Sequence, residues 1–327
     1  MVRHTARGVT GVEGPPYFVA PAGGDVVSSA ARLSYALVTP ARDEAEHLPR
    51  LARAVAAQTV LPDVWVIVDD GSADSTRAVA QRLAVEHPWV RLLHGPPPSP
   101  VESGPIAFGR RTGRDSVAFQ AGVTSLDPLP DVVMKVDADV TFAADFLETL
   151  LTAFGQQASL GIVGGTCLEL TGGAWTERHV TGAHVWGAAR AYRRACLEDV
   201  LPLERRLSWD GIDLVQADLA GWSTRTLRDA PFRHHRTEGA RDGARARVWF
   251  AQGWSAWYMG YRPTYVLARA LHRAWRDPAA LALLWGYVRS ALVRDARHPE
   301  PAVREALRQH QRLRSLPLRL REALGSR

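Results

Sequence analysis

Asp137 and Asp139 stand two residues apart, directly after the apolar run VVMKV at 132–136. In an extended chain, residues i and i+2 point the same way, so both carboxylates can face one divalent cation. Hard oxygen ligands suit magnesium or manganese, above all where a diphosphate completes the shell. Two further acidic pairs follow apolar runs: Asp43 and Glu44 after 35–39, and Asp69 and Asp70 after 64–68. A lone Asp after a strand is commonly a helix cap, a role that falls here to Asp74 or Ser75. Three acidic pairs after three strands instead mark one rim, because ligands of an open α/β sheet bind beyond the strands' carboxyl ends.

The elements that must hold these carboxylates follow from the periodicity. Apolar runs predict strands at 35–39, 64–68, 90–93, 132–136 and 161–168, and helical stripes fall at 44–58, 75–87, 116–125 and 142–154. In the first helix the stripe is Leu48, Leu51, Val55 and Ala56, with Pro49 tolerated in the opening turn. This alternation predicts an α/β fold, with a mostly parallel central sheet and helices on both faces. The Pro-rich segment 94–113 reads as a functional or mobile loop. After about 241 the strands stop, and helices rich in Trp, Tyr, Leu and Arg break near Pro263, Pro278, Pro301 and Pro317. The expected organisation is a disordered tail at 1–30, a catalytic domain at 31–240 and a helical extension at 241–327.

Composition narrows the function classes. In 327 residues, 46% are hydrophobic and 23% charged, which excludes wholesale disorder. Cys167 and Cys196 match no zinc spacing and no disulfide framework, so a reducing cytoplasm is the expected compartment. The net charge is +6 and the pI about 9.8, yet Lys135 is the single lysine. Arginine on this scale suits phosphates, on nucleotides or on anionic lipid headgroups. No nucleic-acid-binding signature is present, so nucleic acid is not an expected partner. The apolar stretch 279–293 is shorter than the roughly 20 residues a membrane span needs. Residues 1–30 lack the continuous apolar centre of a signal peptide. The expectation is a soluble or peripheral protein inside the cell.

Longer motifs carry a resemblance. VTPARDEAEHLPR, VIVDDGSADST and VMKVDADVTF, with GRRTGRDSVAFQAGV ahead of the last, resemble the motifs of a family 2 glycosyltransferase of GT-A fold. HVWGAARAYRRACLEDV and WDGIDLVQADLAGWSTRTLRDAPFRHHRTEG extend the similarity over roughly 33–239. The resemblance implies that Pro40, Ala41 and Glu44 line a nucleotide pocket, that Asp70 accepts a hydrogen bond from the base, and that Asp69 supports its turn. It implies that Asp137, Ala138 and Asp139 border the sugar diphosphate, with Asp137 and Asp139 on a magnesium or manganese ion. Arg114 and Arg236, with Arg110 and Arg111, are the arginines offered to phosphate.

The same resemblance points to a catalytic base. The stretch Trp209-Asp210-Gly211-Ile212-Asp213 is similar to the family's acidic base motif, with Asp-Gly where Glu-Asp is common. Asp210 and Asp213 are therefore both candidates. Asp210 is favoured, because an Asp beside Gly at a helix start faces a cleft, although it also reads as the cap of a helix over 213–220. A late histidine completes the metal shell or contacts phosphate in many GT-A enzymes, which makes His234 or His235 a candidate metal ligand. The implied activity is metal-dependent, inverting transfer from a nucleotide-diphosphate sugar to a hydroxyl of a glycan, a lipid-linked acceptor or a small metabolite. The alternative is a nucleotide-binding scaffold without turnover. Trp249, Trp254, Trp257 and Tyr258 either pack on the catalytic domain or lie at a lipid interface. Leu313, Leu316, Leu320 and Leu324, set among arginines, favour contact with an anionic membrane.

Overall fold

The computed structural model describes residues 32–97, 112–178, 184–236, 245–309 and 311. The expected tail at 1–30, Arg110 and Arg111, and the leucine stripe at 313–324 lie outside the described residues. The elements below belong to one compact unit, Leu33–Arg327.

Four short strands build the half of the sheet that carries the acidic rim: β1 (Tyr35–Ala41), β2 (Val64–Asp69), β3 (Val90–His94) and β4 (Val132–Val136). They lie in the order β3-β2-β1-β4 and pair in parallel. A parallel sheet covered on both faces needs apolar residues on both, which is why these strands read as unbroken apolar runs. Alternate residues enter different layers: Tyr35, Leu37, Trp65 and Ile67 join one core, while Ala36, Val38, Val66 and Val68 join the other. The first core is closed by α1 (Leu48–Ala56), α2 (Thr76–Glu86) and α4 (Phe146–Gln156). The second is closed by α3 (Arg114–Thr124), α5 (Arg194–Val200) and α6 (Trp209–Leu219).

Beyond β4 the sheet becomes mixed. β8 (Ala189–Arg193) runs antiparallel to β4 and to β6 (Leu160–Thr171), whereas β9 (Ser223–His234) is parallel to β6. Two short strands, β5 (Val140–Phe142) and β7 (Ala174–Glu177), pair antiparallel with β9 and β6. The expected helix at 142–154 therefore begins at 146, because Val140–Phe142 is drawn into the sheet by β9. The first helix starts at Leu48 instead of 44, and Asp43, just ahead of the expected start, has a φ of +54°. Its side chain is occupied too: Asp43 Oδ1 accepts the Ala73 N–H at 2.7 Å. Ser75 holds the cap position of α2 without a capping bond, and Asp74, one residue earlier, accepts the Thr76 N–H at 2.9 Å.

The last helices are α7 (Arg245–Tyr258), α8 (Pro263–Ala274), a 3-10 turn (Pro278–Leu281), α9 (Ala282–Leu292) and α10 (Pro301–Gln309). Trp254 and Tyr258 of α7 pack on the catalytic domain, the first of the two expected arrangements, whereas Trp249 and Trp257 pack within the extension. Trp249 Nε1 donates to Asp277 at 2.9 Å, and Trp257 Nε1 donates to the Asp295 carbonyl at 2.9 Å. The Arg206 guanidinium stands 4.1 Å from the Trp254 ring centre and 3.5 Å from that of Tyr258. Ser255 Oγ donates to the Leu207 carbonyl at 3.1 Å. The helical extension thus holds the 204–208 segment that leads into α6.

Candidate active site

Because β1, β2 and β4 are parallel neighbours, their carboxyl ends share one edge, and the three acidic pairs stand along it. Pro40 and Ala41 end β1, where the Ala41 carbonyl accepts the Asp70 N–H at 2.8 Å. Asp69 is buried and accepts from the Ser72 N–H at 3.1 Å and Arg77 Nε at 2.9 Å. Burial alone would raise its pKa, yet these bonds from Ser72 and Arg77 hold it below the ordinary carboxylate value. Asp69 thus ties down the turn 69–72. Asp70 is gripped by Arg114, which also donates to the Pro96 carbonyl at 2.8 Å. Burial raises the Asp70 pKa in spite of that partner. Arg114 therefore stands beside the residue expected to meet the base. Glu44 takes a bidentate contact from Arg236, at 3.1 and 2.6 Å, which closes the end of β9 onto the turn after β1.

Asp137 lies in a cleft whose lining includes Lys135, Arg178, Trp186, Trp209, Asp210 and His234. The only lysine of the chain is buried here: Lys135 bonds Asp137, donates to the Gly187 carbonyl at 3.1 Å and lies 5.6 Å from the Trp209 ring centre. Burial works against its charge, but Asp137 and Asp115 more than offset this and raise its pKa. Trp209 is held in turn by donating Nε1 to Asp115 at 3.0 Å. The expectation that Asp210 caps a helix is corrected. α6 begins four residues earlier than expected, its cap position is Ser208 at φ +67°, and Asp210 sits inside the first turn.

Gly187 leaves room for that carboxylate. A Cβ at Gly187 would stand 2.8 Å from Asp210 Oδ2, closer than such atoms come. The carboxylate is the flexible partner, so Gly187→Ala should fold and displace Asp210. Misplacing a reacting group by about 1 Å costs up to about 10²-fold. We expect tenfold or more to be lost from turnover at an unchanged melting temperature, on the order of that misplacement; steady-state kinetics and a thermal melt check both.

Asp213, the other base candidate, is not in the cleft. It is 1% exposed and accepts Arg190 Nη1 at 2.7 and 2.6 Å and the Tyr192 hydroxyl at 2.6 Å. Burial raises its pKa against the pull of Arg190. Nor does it support the start of α6; it is an interior ion-pair partner.

The two histidines are separated. His234 Nε2 lies 3.4 Å from Asp139 Oδ1, and its Nδ1 lies 3.5 Å from Glu169 Oε1. His235 is turned away: Nε2 meets Thr141 Oγ1 at 2.7 Å and the ring packs edge-on against Trp175. Consecutive residues at the end of a strand face opposite sides, which explains the split. Burial opposes the His234 charge, but Asp139, Cys167 and Glu169 raise its pKa to about 12. Burial also opposes the Asp139 charge, and His234 and Arg236 nevertheless lower its pKa to about 2.

The sign of the pH effect follows. A histidine with a raised folded pKa stabilises the fold fully below its unfolded value near 6.5 and loses this as pH rises toward 12. In metal-free protein, the stability gap between wild type and His234→Gln should be widest at pH 5 to 6 and narrow by roughly 1.4 kcal/mol per pH unit above about 6.5. Urea unfolding at pH 5.5 and 8.5 tests this, and a gap that does not narrow contradicts it.

Residues 31–258 match the family described as "Glycosyltransferase like family 2", well over half of the chain. The chain belongs to glycosyltransferase family 2. Over 116 residues it is 32% identical to the succinoglycan biosynthesis protein ExoA of Rhizobium meliloti (strain 1021), covering 35% of this chain and 31% of that protein. The aligned part is thus less than a third of the length of this relative. Among solved structures, the mannosyltransferase PcManGT of Pyrobaculum calidifontis, in complex with GDP-Man and Mn2+, is similar with a TM-score of 0.53 at 14% identity. That likeness covers 90% of this chain and 85% of the other. TarS 1-349 of S. aureus, in complex with UDP-GlcNAc, gives 0.50 at 15% identity over 68% and 65% of the two chains. At such identities the likeness speaks for the fold, and that fold is GT-A.

Several residues of the glycosyltransferase site carry no sequence signal. Glu169 stands opposite His234 in the β6–β9 register and also accepts Arg178 Nη1 at 2.6 Å. Arg178 lies 4.6 Å from the Trp186 ring centre, at the cleft wall. Asp115 is two residues past Gly113, where only helix propensity is legible. Their roles come from strand pairing and helix docking, which spacing along the chain does not encode. Lys135 did carry a signal, as the single lysine, two residues before Asp137.

Proposed function

We propose that this glycosyltransferase moves a sugar from a nucleotide-diphosphate donor to an acceptor hydroxyl with inversion and with a bound magnesium or manganese ion. One observation carries the reading: Asp137, Asp210 and His234 converge on a single cleft, with Asp139 behind His234. Asp210 takes the acceptor proton as the acceptor oxygen bonds the anomeric carbon and the bond from that carbon to the diphosphate oxygen breaks. Trp186 and Trp209 form apolar walls against which a sugar ring can rest. Arg236 and Arg178 offer positive charge toward the departing diphosphate. Asp70 with Arg114, next to Pro40 and Ala41, meets the nucleobase.

The donor set suits the cation. Adjacent ligands of an octahedral ion, each at about 2.1 Å, are about 3 Å apart. Asp139 Oδ1 and His234 Nε2, at 3.4 Å, are close to that spacing, and Asp137 would join them as a further carboxylate ligand by giving up its contact with Lys135. A cation bound there would offset the negative charge gathering on the leaving diphosphate. Glu169, on the far side of the His234 ring, orients it through Nδ1. His235 has no part in this shell. The Mn2+ of PcManGT, a protein of similar fold, supports the choice of ion. The naming of ExoA for succinoglycan biosynthesis supports a growing glycan as acceptor, which we take to be carried on a lipid at the inner membrane face.

Calorimetric titration of UDP, GDP and TDP, with and without manganese, tests the reading. At least one nucleotide should bind more tightly with the metal. Asp139→Ala should remove that gain while the protein stays folded, and an unchanged manganese dependence would overturn the metal assignment. Binding followed by no hydrolysis or transfer for any sugar nucleotide would favour the scaffold without turnover.

A further inference from the structure

Twelve large apolar side chains are exposed among the described residues, and eight of them fall between 267 and 293. Leu267, Leu271 and Trp275 recur every fourth residue along α8 and its end, so they form one stripe. The opposite side of α8 is buried through Val266 and Ala270. On α9, Trp285, Val288 and Leu292 repeat the pattern, while Leu283, Gly286 and Tyr287 face the interior. Trp275 is 91% exposed and Leu292 72%, values that a closed surface does not show. Isolated exposed leucines are ordinary, but a concentration of this kind marks an interaction surface.

Charge identifies the partner. Residues 262–297 contain seven arginines and two aspartates. Both aspartates are engaged: Asp277 accepts from Trp249 and from the Ala279 N–H, and Asp295 lies 3.9 Å from Arg289. Arg273 lies near Arg269, Arg276 and Arg178, the last of which pairs with Glu169. Because Arg178 also lines the cleft, this basic face adjoins the active site. A second copy of the chain is a poor occupant, since an isologous contact would set one arginine-rich face against another. No helix among the described residues is long and apolar enough to cross a membrane. Amphipathic helices with tryptophan on one side and arginine beside it instead lie flat at the headgroup level of an anionic bilayer.

We propose that α8, the 3-10 turn and α9 form a docking surface for an anionic lipid bilayer, seating Leu271, Trp275 and Trp285 among the headgroups beside the cleft. The proposal rests on the reading of a lipid-borne acceptor for its purpose, while the contact itself is measurable without any transfer. The test is co-sedimentation of the full chain with phosphatidylcholine vesicles, with and without phosphatidylglycerol, in the absence of donor. Wild type should bind the anionic vesicles about tenfold or more tightly than the neutral ones, and added salt should weaken that binding. Leu271→Glu with Trp275→Glu should lose about tenfold or more on both vesicle types. Arg273→Ala with Arg276→Ala should lose about tenfold or more on the anionic vesicles alone.

Each variant is also assayed for its melting temperature and its nucleotide affinity, which should match wild type because the replaced side chains are exposed. Vesicle binding that is absent in wild type, or unchanged in both double variants, overturns the surface. Intact nucleotide binding in that case leaves the transferase reading standing. A wild-type dimer that Leu271→Glu with Trp275→Glu converts to a monomer, without vesicle binding, would assign the face to a second copy instead.

Discussion

Asp210→Asn is expected to lower glycosyl transfer by about 10²-fold or more while donor affinity stays near wild type. A residue that only removes the acceptor proton acts in the transition state, and its loss therefore falls on kcat, not on donor binding. Asn keeps the size and polarity of the side chain in the first turn of α6, so the structural cost is small. Asp210 is not the capping residue of that helix, which removes the main confounding effect. The measurement pairs transfer kinetics with a donor titration on the same preparation. Near-full transfer by Asp210→Asn would place the base elsewhere, and a proportional loss of donor affinity would make Asp210 a binding residue.

The second large effect is on the fold. Asp213→Ala leaves the Arg190 guanidinium, 0% exposed, without its carboxylate partner, and also strips the Tyr192 hydroxyl of its acceptor. Removing one member of a buried ion pair costs about 3–5 kcal/mol. Urea unfolding should show a loss of that order, with activity per folded molecule reduced far less than in Asp210→Asn. A stable Asp213→Ala protein without transfer would reverse the two assignments. The contrast is sharp because the residues are only three apart: one loses chemistry, the other loses structure.

Much of the framework was legible because β1, β2 and β4 are buried on both faces and so appear as apolar runs. The acidic residues at their ends then fall on one rim by topology alone. β8 was not legible, since its sequence ARAYR hides a buried arginine whose partner, Asp213, arrives 23 residues later on α6. Asp210 was favoured over Asp213 for its place beside Gly211, but the buried pairing that takes Asp213 out of the cleft carried no sequence signal. His234 and His235 were indistinguishable in sequence. Only the pairing of β9 with β5 and β6 turns one toward Asp139 and Glu169 and the other toward Thr141. The docking of Trp249 and Trp257 was open between two arrangements, because an aromatic stripe has the same spacing in a core as at a lipid surface.

The account stands most directly on whether the cleft turns over a sugar nucleotide with metal. The decisive measurement is the release of nucleoside diphosphate from a panel of UDP-, GDP- and TDP-sugars by the wild-type chain, with manganese and with chelator. The account predicts release from at least one donor with manganese, none above background with chelator, and loss of that release in Asp210→Asn. Release that is equal with chelator and with manganese, or no release from any donor that binds, would contradict it.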